Sequence, residues 1–187
     1  MRQPQQLTET QLKQTLPSSS DMSAIFSPTQ ENQSGKDDES FLCGAGVDQL
    51  DHRNAEAKVG YVAQVGLSAT RYSFDIGQFD SPAVAAEQIQ ALGDDIDSCS
   101  TFTANGDTYT VAPSSAAGSD EDTIAVQATT KSAGFAVAVN MLVVRTGSSL
   151  VASLSSTIGL AEGSTVDDLV RLSKETVDRY EAKAGIA

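Results

Sequence analysis

Thr123-Ile124-Ala125-Val126-Gln127-Ala128, Phe135-Ala136-Val137-Ala138-Val139-Asn140-Met141-Leu142-Val143 and Ser149-Leu150-Val151-Ala152-Ser153-Leu154 form the stretch that decides the fold. Ile124, Val126 and Ala128 recur at every second position, as do Phe135, Val137, Val139, Met141 and Val143. Leu150, Ala152 and Leu154 continue the pattern after the Thr146-Gly147-Ser148 turn. A period of two is that of a strand with one buried face. Short turns between such runs predict three consecutive antiparallel strands, a meander.

Upstream of the meander the same reading extends the sheet. Tyr72, Phe74 and Ile76 alternate with Arg71, Ser73 and Asp75, and Val59 to Gln64 offers a neighbouring strand. Ser100–Thr103 and Thr108–Val111 flank Ala104-Asn105-Gly106-Asp107, where Asn-Gly is a strong hairpin signal. Helices are marked by their caps and stripes. Thr8 and Gln11 form a capping box between Leu7 and Leu12, and Pro17 ends a helix predicted over 8–16. Ser81-Pro82 starts a second helix, on which Ala85, Ile89, Leu92, Ile96 and Cys99 share one stripe. Ser164-Thr165 caps a third, with Val166, Leu169, Val170, Ser173, Val177 and Tyr180 on one face, closing near Gly185. The predicted fold is α+β: an antiparallel sheet of about five to seven strands with helices packed on one face. One domain is expected over 7–185. Ser18 to Ser40 reads as a mobile polar loop in which Met22 to Phe26 docks, and residues 1–6 read as the disordered remnant of a tether.

Composition narrows the function. The 187 residues carry 25 acidic against 12 basic side chains, a formal charge of −13, which repels phosphate backbones and anionic headgroups. Nucleic acid is therefore excluded as a partner. Hydrophobic residues are 40% and aromatics 5%, so the core must be built from Val, Leu, Ile and Ala. No run approaches the roughly 18 apolar residues of a membrane span, and Met1-Arg2-Gln3-Pro4-Gln5-Gln6 lacks the apolar centre of a signal peptide. Cys43 and Cys99 are the only two cysteines. Because Cys99 closes a helix whose stripe points inward, the pair reads as a clamping disulfide and places the chain in an oxidising, extracytoplasmic compartment. An export signal is then expected upstream of Arg2. The competing reading is a cytoplasmic chain with two unpaired buried thiols.

Leu7-Thr8-Glu9-Thr10-Gln11-Leu12-Lys13-Gln14-Thr15-Leu16, the polar loop, Cys43, the Tyr72–Ile76 strand, Phe79-Asp80-Ser81-Pro82 opening a helix that ends at Cys99, and Val143-Val144-Arg145-Thr146-Gly147 resemble one known group. These are actinobacterial lipoproteins related to the extracellular sensor domain of mycobacterial serine/threonine protein kinase H. The resemblance spans Leu7 to about Tyr180. It implies an α+β sheet with a concave ligand-binding face, a location on the outer face of the cell membrane through a lipidated N-terminal cysteine, and a sensing or binding role. It also implies two disulfides in the kinase's sensor domain, where this chain has one cysteine pair. No kinase portion is present, so signalling would require a partner.

Catalytic chemistry finds little to work with. His52, in Asp48-Gln49-Leu50-Asp51-His52-Arg53, is the single histidine and reads as a surface residue in a polar connector rather than a base or metal ligand. Asp94, Asp95 and Asp97 lack the loop spacing of a Ca²⁺ site and read as a solvated helix end. Asp120-Glu121-Asp122 reads as a charged loop. Gly44-Ala45-Gly46 lacks the third glycine and preceding parallel strand of a phosphate-binding motif. No enzyme, metal or cofactor is expected. The expected function is an extracytoplasmic, lipid-anchored or secreted, sensor-like monomer. It would bind a small molecule or cell-envelope component through Arg71, Tyr72 and Arg145 if these line the concave face. The alternative is a protein-interaction module of the envelope without a small-molecule pocket.

Overall fold

The computed structural model describes residues 5–29, 43, 53–104, 106–114, 122–159 and 164–186. His52, Gly44-Ala45-Gly46, Asp120 and Glu121 lie outside the described residues. In chain order the elements are α1 (Glu9–Lys13), β1 (Ser27–Pro28), β2 (Arg53–Val65), β3 (Ser68–Phe79), α2 (Pro82–Asp97), β4 (Thr101–Ala104), β5 (Asp107–Pro113), β6 (Thr123–Ser132), β7 (Phe135–Thr146), β8 (Ser149–Ile158) and α3 (Ser164–Ala184).

The predicted meander is β6-β7-β8, and the Asn-Gly hairpin is β4-β5. All strands join one antiparallel sheet in the order β1-β2-β3-β8-β7-β6-β5-β4. One pairing is not between sequence neighbours: β8 returns to β3, with Ile76 opposite Val151 and Tyr72 opposite Ser155. That pairing fuses the N-terminal hairpin to the C-terminal meander.

Alternation then assigns every side chain to one of two faces. Met141, Val143, Leu150, Ala152, Val126 and Ala128 point to the side where Ala85, Ile89, Leu92 and Ile96 of α2 close a core with Phe79. Leu142, Val151 and Ala125, one position out of phase, meet Leu169, Leu172 and Tyr180 of α3, with Leu7, Leu12 and Leu16 from α1 and its flanks. Each fully buried Leu or Ile contributes about 1.5–3 kcal/mol relative to exposure.

The α+β antiparallel class is as expected, with two differences. The sheet has eight strands rather than five to seven, because Ser27–Pro28 inside the polar stretch pairs with Val62 and Tyr61. The helices also divide between the faces, α1 and α3 on one and α2 on the other. The physical reason is visible in Leu142-Val143-Val144 and Leu150-Val151-Ala152, which are apolar at consecutive positions and so need cover on both sides.

The ends of the sheet are tied down locally. Ser81 caps α2 through its Oγ, which accepts from the Val84 N–H at 3.3 Å, and Pro82 occupies the first helical position. Thr8 and Gln11 form the capping box of α1. Gln78 is 1% exposed, yet its amide is satisfied. It accepts from the Leu7 N–H at 3.0 Å and donates to Gln6 Oε1 and the Leu7 carbonyl. Met22 and Phe26 pack against the α3-side core, the Phe26 ring lying 5.2 Å from that of Tyr72. Cys43 and Cys99 form a disulfide with Cα atoms 5.9 Å apart, just beyond the C-cap of α2.

Candidate functional site

The α3 face of the sheet is apolar where α3, α1 and the segment carrying Met22 and Phe26 cover it. Toward the end of the sheet that carries the β2–β3, β6–β7 and β4–β5 turns, the same face becomes polar. Register orders these residues in rows running across the strands. One row is Tyr72, Ser155, Asn140, Gln127 and Ala112 on β3, β8, β7, β6 and β5. The next is Thr70, Thr157, Ala138, Thr129, Thr110 and Thr101, spanning six strands. Beyond it, Thr103 and Thr108 face each other with hydroxyls 3.5 Å apart.

The first row is a hydrogen-bonded chain. Gln127 Nε2 donates to Asn140 Oδ1 at 3.0 Å, and Asn140 Nδ2 donates to Ser155 Oγ at 3.3 Å. Asn140 and Ser155 are buried, so their partners offset the cost of removing them from water. Two neighbours on β8 differ. Ser153 Oγ and Thr157 Oγ1 are buried and have no hydrogen-bond partner among the described residues, although the residues are only 1% and 5% exposed. Leaving a buried hydroxyl unpaired costs about 1–3 kcal/mol, and these two lie in the rows on either side of the Ser155 row, Ser153 opposite Phe74 and Leu142 and Thr157 opposite Thr70 and Ala138.

The chain's acidic character is absent here. Residues 123–159 contain no Asp or Glu, though the whole chain has 25. Lys131 is the one charged side chain that alternation puts on the α3 face within these strands. Glu181 of α3 accepts from Thr146 Oγ1 at 2.8 Å and thereby fixes which flank of α3 lies along β7. Val166, Val170 and Val177 recur on that flank at helical spacing, and Val170 and Val177 pack against the core. This half of the face is thus a floor of hydroxyls and amides beside an apolar helix flank, buried at Asn140, Ser155 and Thr157 and exposed at Thr101, Thr110 and Thr129.

The polar contacts expected from sequence do not converge. Tyr72 is on the α3 face, 2% exposed, between Phe26 and Phe74. Burial pushes its phenol up to about 12, and the negative charge of Asp168 adds to the shift while Arg171 opposes it. Arg71 is exposed on the opposite face, across from Ser156. Arg145 is also on that opposite face, across from Leu150, six positions along β8 from Ser156, and its Nε donates to Asp122 Oδ1 at 2.7 Å. Strand alternation separates Tyr72 from its sequence neighbour Arg71. Asp94, Asp95 and Asp97 stand exposed in the last turns of α2. Among the described residues no group of three His, Cys, Asp or Glu side chains is placed to hold a metal ion.

Sequence reasoning passed over Gln127, Asn140, Ser153, Ser155 and Thr157. The signal was available as the complement of the apolar set, since each sits out of phase with Val126, Met141, Ala152 or Leu154.

A single antiparallel sheet with helices on both faces, one of which is polar over half its area, defines an α+β scaffold. That fold is shared with a solved protein, the extracellular domain of PknH from Mycobacterium tuberculosis. The two align over 96% of this chain and 98% of that chain with a TM-score of 0.65 at 17% identity. The resemblance read from Leu7 to Tyr180 is therefore a likeness of fold across nearly the whole chain. CalU16 from Micromonospora echinospora is a more distant match, with a TM-score of 0.34 and 12% identity over 71% of this chain and 98% of that one. No protein-family model and no curated protein matches the chain.

Proposed function

We propose that this chain is an extracytoplasmic, non-enzymatic, sensor-like binding domain, and that the polar half of its α3 face receives a small molecule or a cell-envelope component. The carrying observation is the pair of buried, unpartnered hydroxyls of Ser153 and Thr157 beside the Gln127–Asn140–Ser155 chain. The disulfide between Cys43 and Cys99 supports an oxidising compartment, and the fold shared with an extracellular domain agrees with it. No helix among the described residues is long and apolar enough to cross a membrane. The resemblance to the lipoproteins implies attachment to the outer face of the membrane through a lipidated cysteine.

Amide chemical-shift mapping against aqueous and organic extracts of the host envelope tests the binding face. Shifts centred on Gln127, Asn140, Ser155 and Thr157 are expected. Shifts confined to the α2 face, or none with any extract, would refute the assignment. A second reading, a protein-interaction module, is favoured by one observation. Val65, Leu67, Phe135 and Ile158 are large apolar side chains 40–81% exposed, all at the turn-bearing end of the sheet. On that reading, replacing Leu67 and Phe135 with Ser abolishes capture of an envelope protein, and no small-molecule extract shifts the α3 face.

A further inference from the structure

The second cross-strand row has an organisation that strand formation does not require. Thr70, Thr157, Thr129, Thr110 and Thr101 occupy one line across β3, β8, β6, β5 and β4, with Ala138 filling the β7 position. Five steps between strands about 4.8 Å apart make a hydroxyl track about 24 Å long, perpendicular to the strands. Threonine is a favoured strand residue, and that alone accounts for the exposed Thr101, Thr110 and Thr129. It does not account for Thr157. This side chain is 5% exposed, its Oγ1 has no partner among the described residues, and valine would keep its shape without an unpaired hydroxyl. A hydroxyl retained at such a position points to a hydrogen-bonding group supplied from outside the chain.

The chemistry of that group follows from what flanks the track. Residues 123–159 carry no carboxylate, Lys131 is the one charge on this face of the strands, and the adjoining row offers neutral amides and a hydroxyl from Gln127, Asn140 and Ser155. Hydroxyls and amides both donate and accept, so they suit a ligand rich in groups that do the same. Beyond Lys131, the charges near the adjoining row are Asp168 and Arg171 of α3, which act on Tyr72 with opposite sign and pair with each other, so a charged ligand would meet no concentrated counter-charge. The strand spacing is close to the repeat of one sugar unit in an extended glycan, so successive threonines meet successive units.

Resting on the binding face proposed above, we infer that its ligand is a neutral oligosaccharide lying across the strands along Thr70, Thr157, Thr129, Thr110 and Thr101. Thr157 hydrogen-bonds the buried part of one unit, the exposed threonines bond its neighbours, and Asn140 and Gln127 border the track. The apolar flank of α3 at Val166 and Val170 gives the C–H faces of the sugars a surface to lie against.

The test is methyl and amide NMR titration of the whole chain with cellotetraose, mannotetraose and chitotetraose, and with tetragalacturonate as the anionic counterpart. At least one neutral tetrasaccharide is expected to shift Thr101, Thr110, Thr129 and Thr157 together, with tetragalacturonate binding at least tenfold more weakly. Thr157→Val is expected to fold with unchanged or higher thermal stability while weakening that binding at least tenfold. Thr110→Val and Thr129→Val, both at exposed positions, should each weaken it severalfold. Shifts on the face with tetragalacturonate but with none of the neutral sugars would overturn the glycan inference and leave the binding face standing. No shift on the face with any of these sugars or with envelope extract would remove both. Neutral-sugar binding unaltered by all three valine substitutions would overturn the track.

Discussion

Tyr180 and Ser149 give a sharp test of how α3 is held on the sheet. Both are fully buried, and Ser149 Oγ lies 2.8 Å from the Tyr180 hydroxyl, joining the last turns of α3 to the first residue of β8. Tyr180→Phe keeps the ring and removes one oxygen, so it creates no cavity and its cost isolates the hydrogen bond. Ser149 Oγ would be left without its partner in a place water does not reach, a penalty of about 1–3 kcal/mol. Ser149→Ala leaves the tyrosine hydroxyl in the same position and carries a similar cost. Removing both groups leaves nothing unpaired, so the double variant should lose about 1–3 kcal/mol less than the sum of the single losses. Equilibrium unfolding in urea, analysed at a common m-value, reads all three differences. A Tyr180→Phe loss below about 0.5 kcal/mol, or strictly additive singles, would refute the buried-pair account.

Three further outcomes follow from the same structure. Replacing Cys43 and Cys99 with Ser opens a loop of 56 residues and should cost about 4 kcal/mol in the chain-entropy treatment; thiol titration of unreduced, denatured wild type finding two free thiols would contradict the bridge. Tyr72 has its folded pKa raised to about 12 from 10.0, so its contribution is complete below pH 10 and lost between pH 10 and about 12. That loss amounts to about 2–3 kcal/mol, it should vanish in Tyr72→Phe, and pH-dependent urea unfolding checks it. Gly159 has φ +98°, and a Cβ there would sit 2.6 Å from Ser68 Oγ and 3.1 Å from Ser68 Cα. Gly159→Ala should therefore lower stability by about 1–3 kcal/mol, and an unchanged Tm in calorimetry would count against the packing of that turn.

Much of the local structure was legible because it depends on short-range rules. The Thr8–Gln11 box, the Ser81-Pro82 start, the Ala104–Asp107 hairpin and the period-two runs of β6, β7 and β8 each appear where propensity, capping and alternation put them. The two cysteines likewise form the bridge read from the position of Cys99 after its helix. The exposed apolar set of the meander even identified one buried face correctly, the one under α2.

The site was settled at a longer range. Period two says that Gln127, Asn140, Ser155 and Thr157 oppose the apolar set, but it cannot say which strands lie side by side. That choice is made by the pairing of β8 with β3, whose partners are separated by about eighty residues of chain and are brought together by the packing of α2 and α3 on opposite faces. The same pairing puts Tyr72 beside Ser155 and sends Arg71 and Arg145 to the other side. The sequence by itself determined the elements, their faces and the clamp, since these are local. The tertiary structure alone decided that scattered threonines line up across six strands, because register couples residues through backbone hydrogen bonds between strands and not through their order along the chain.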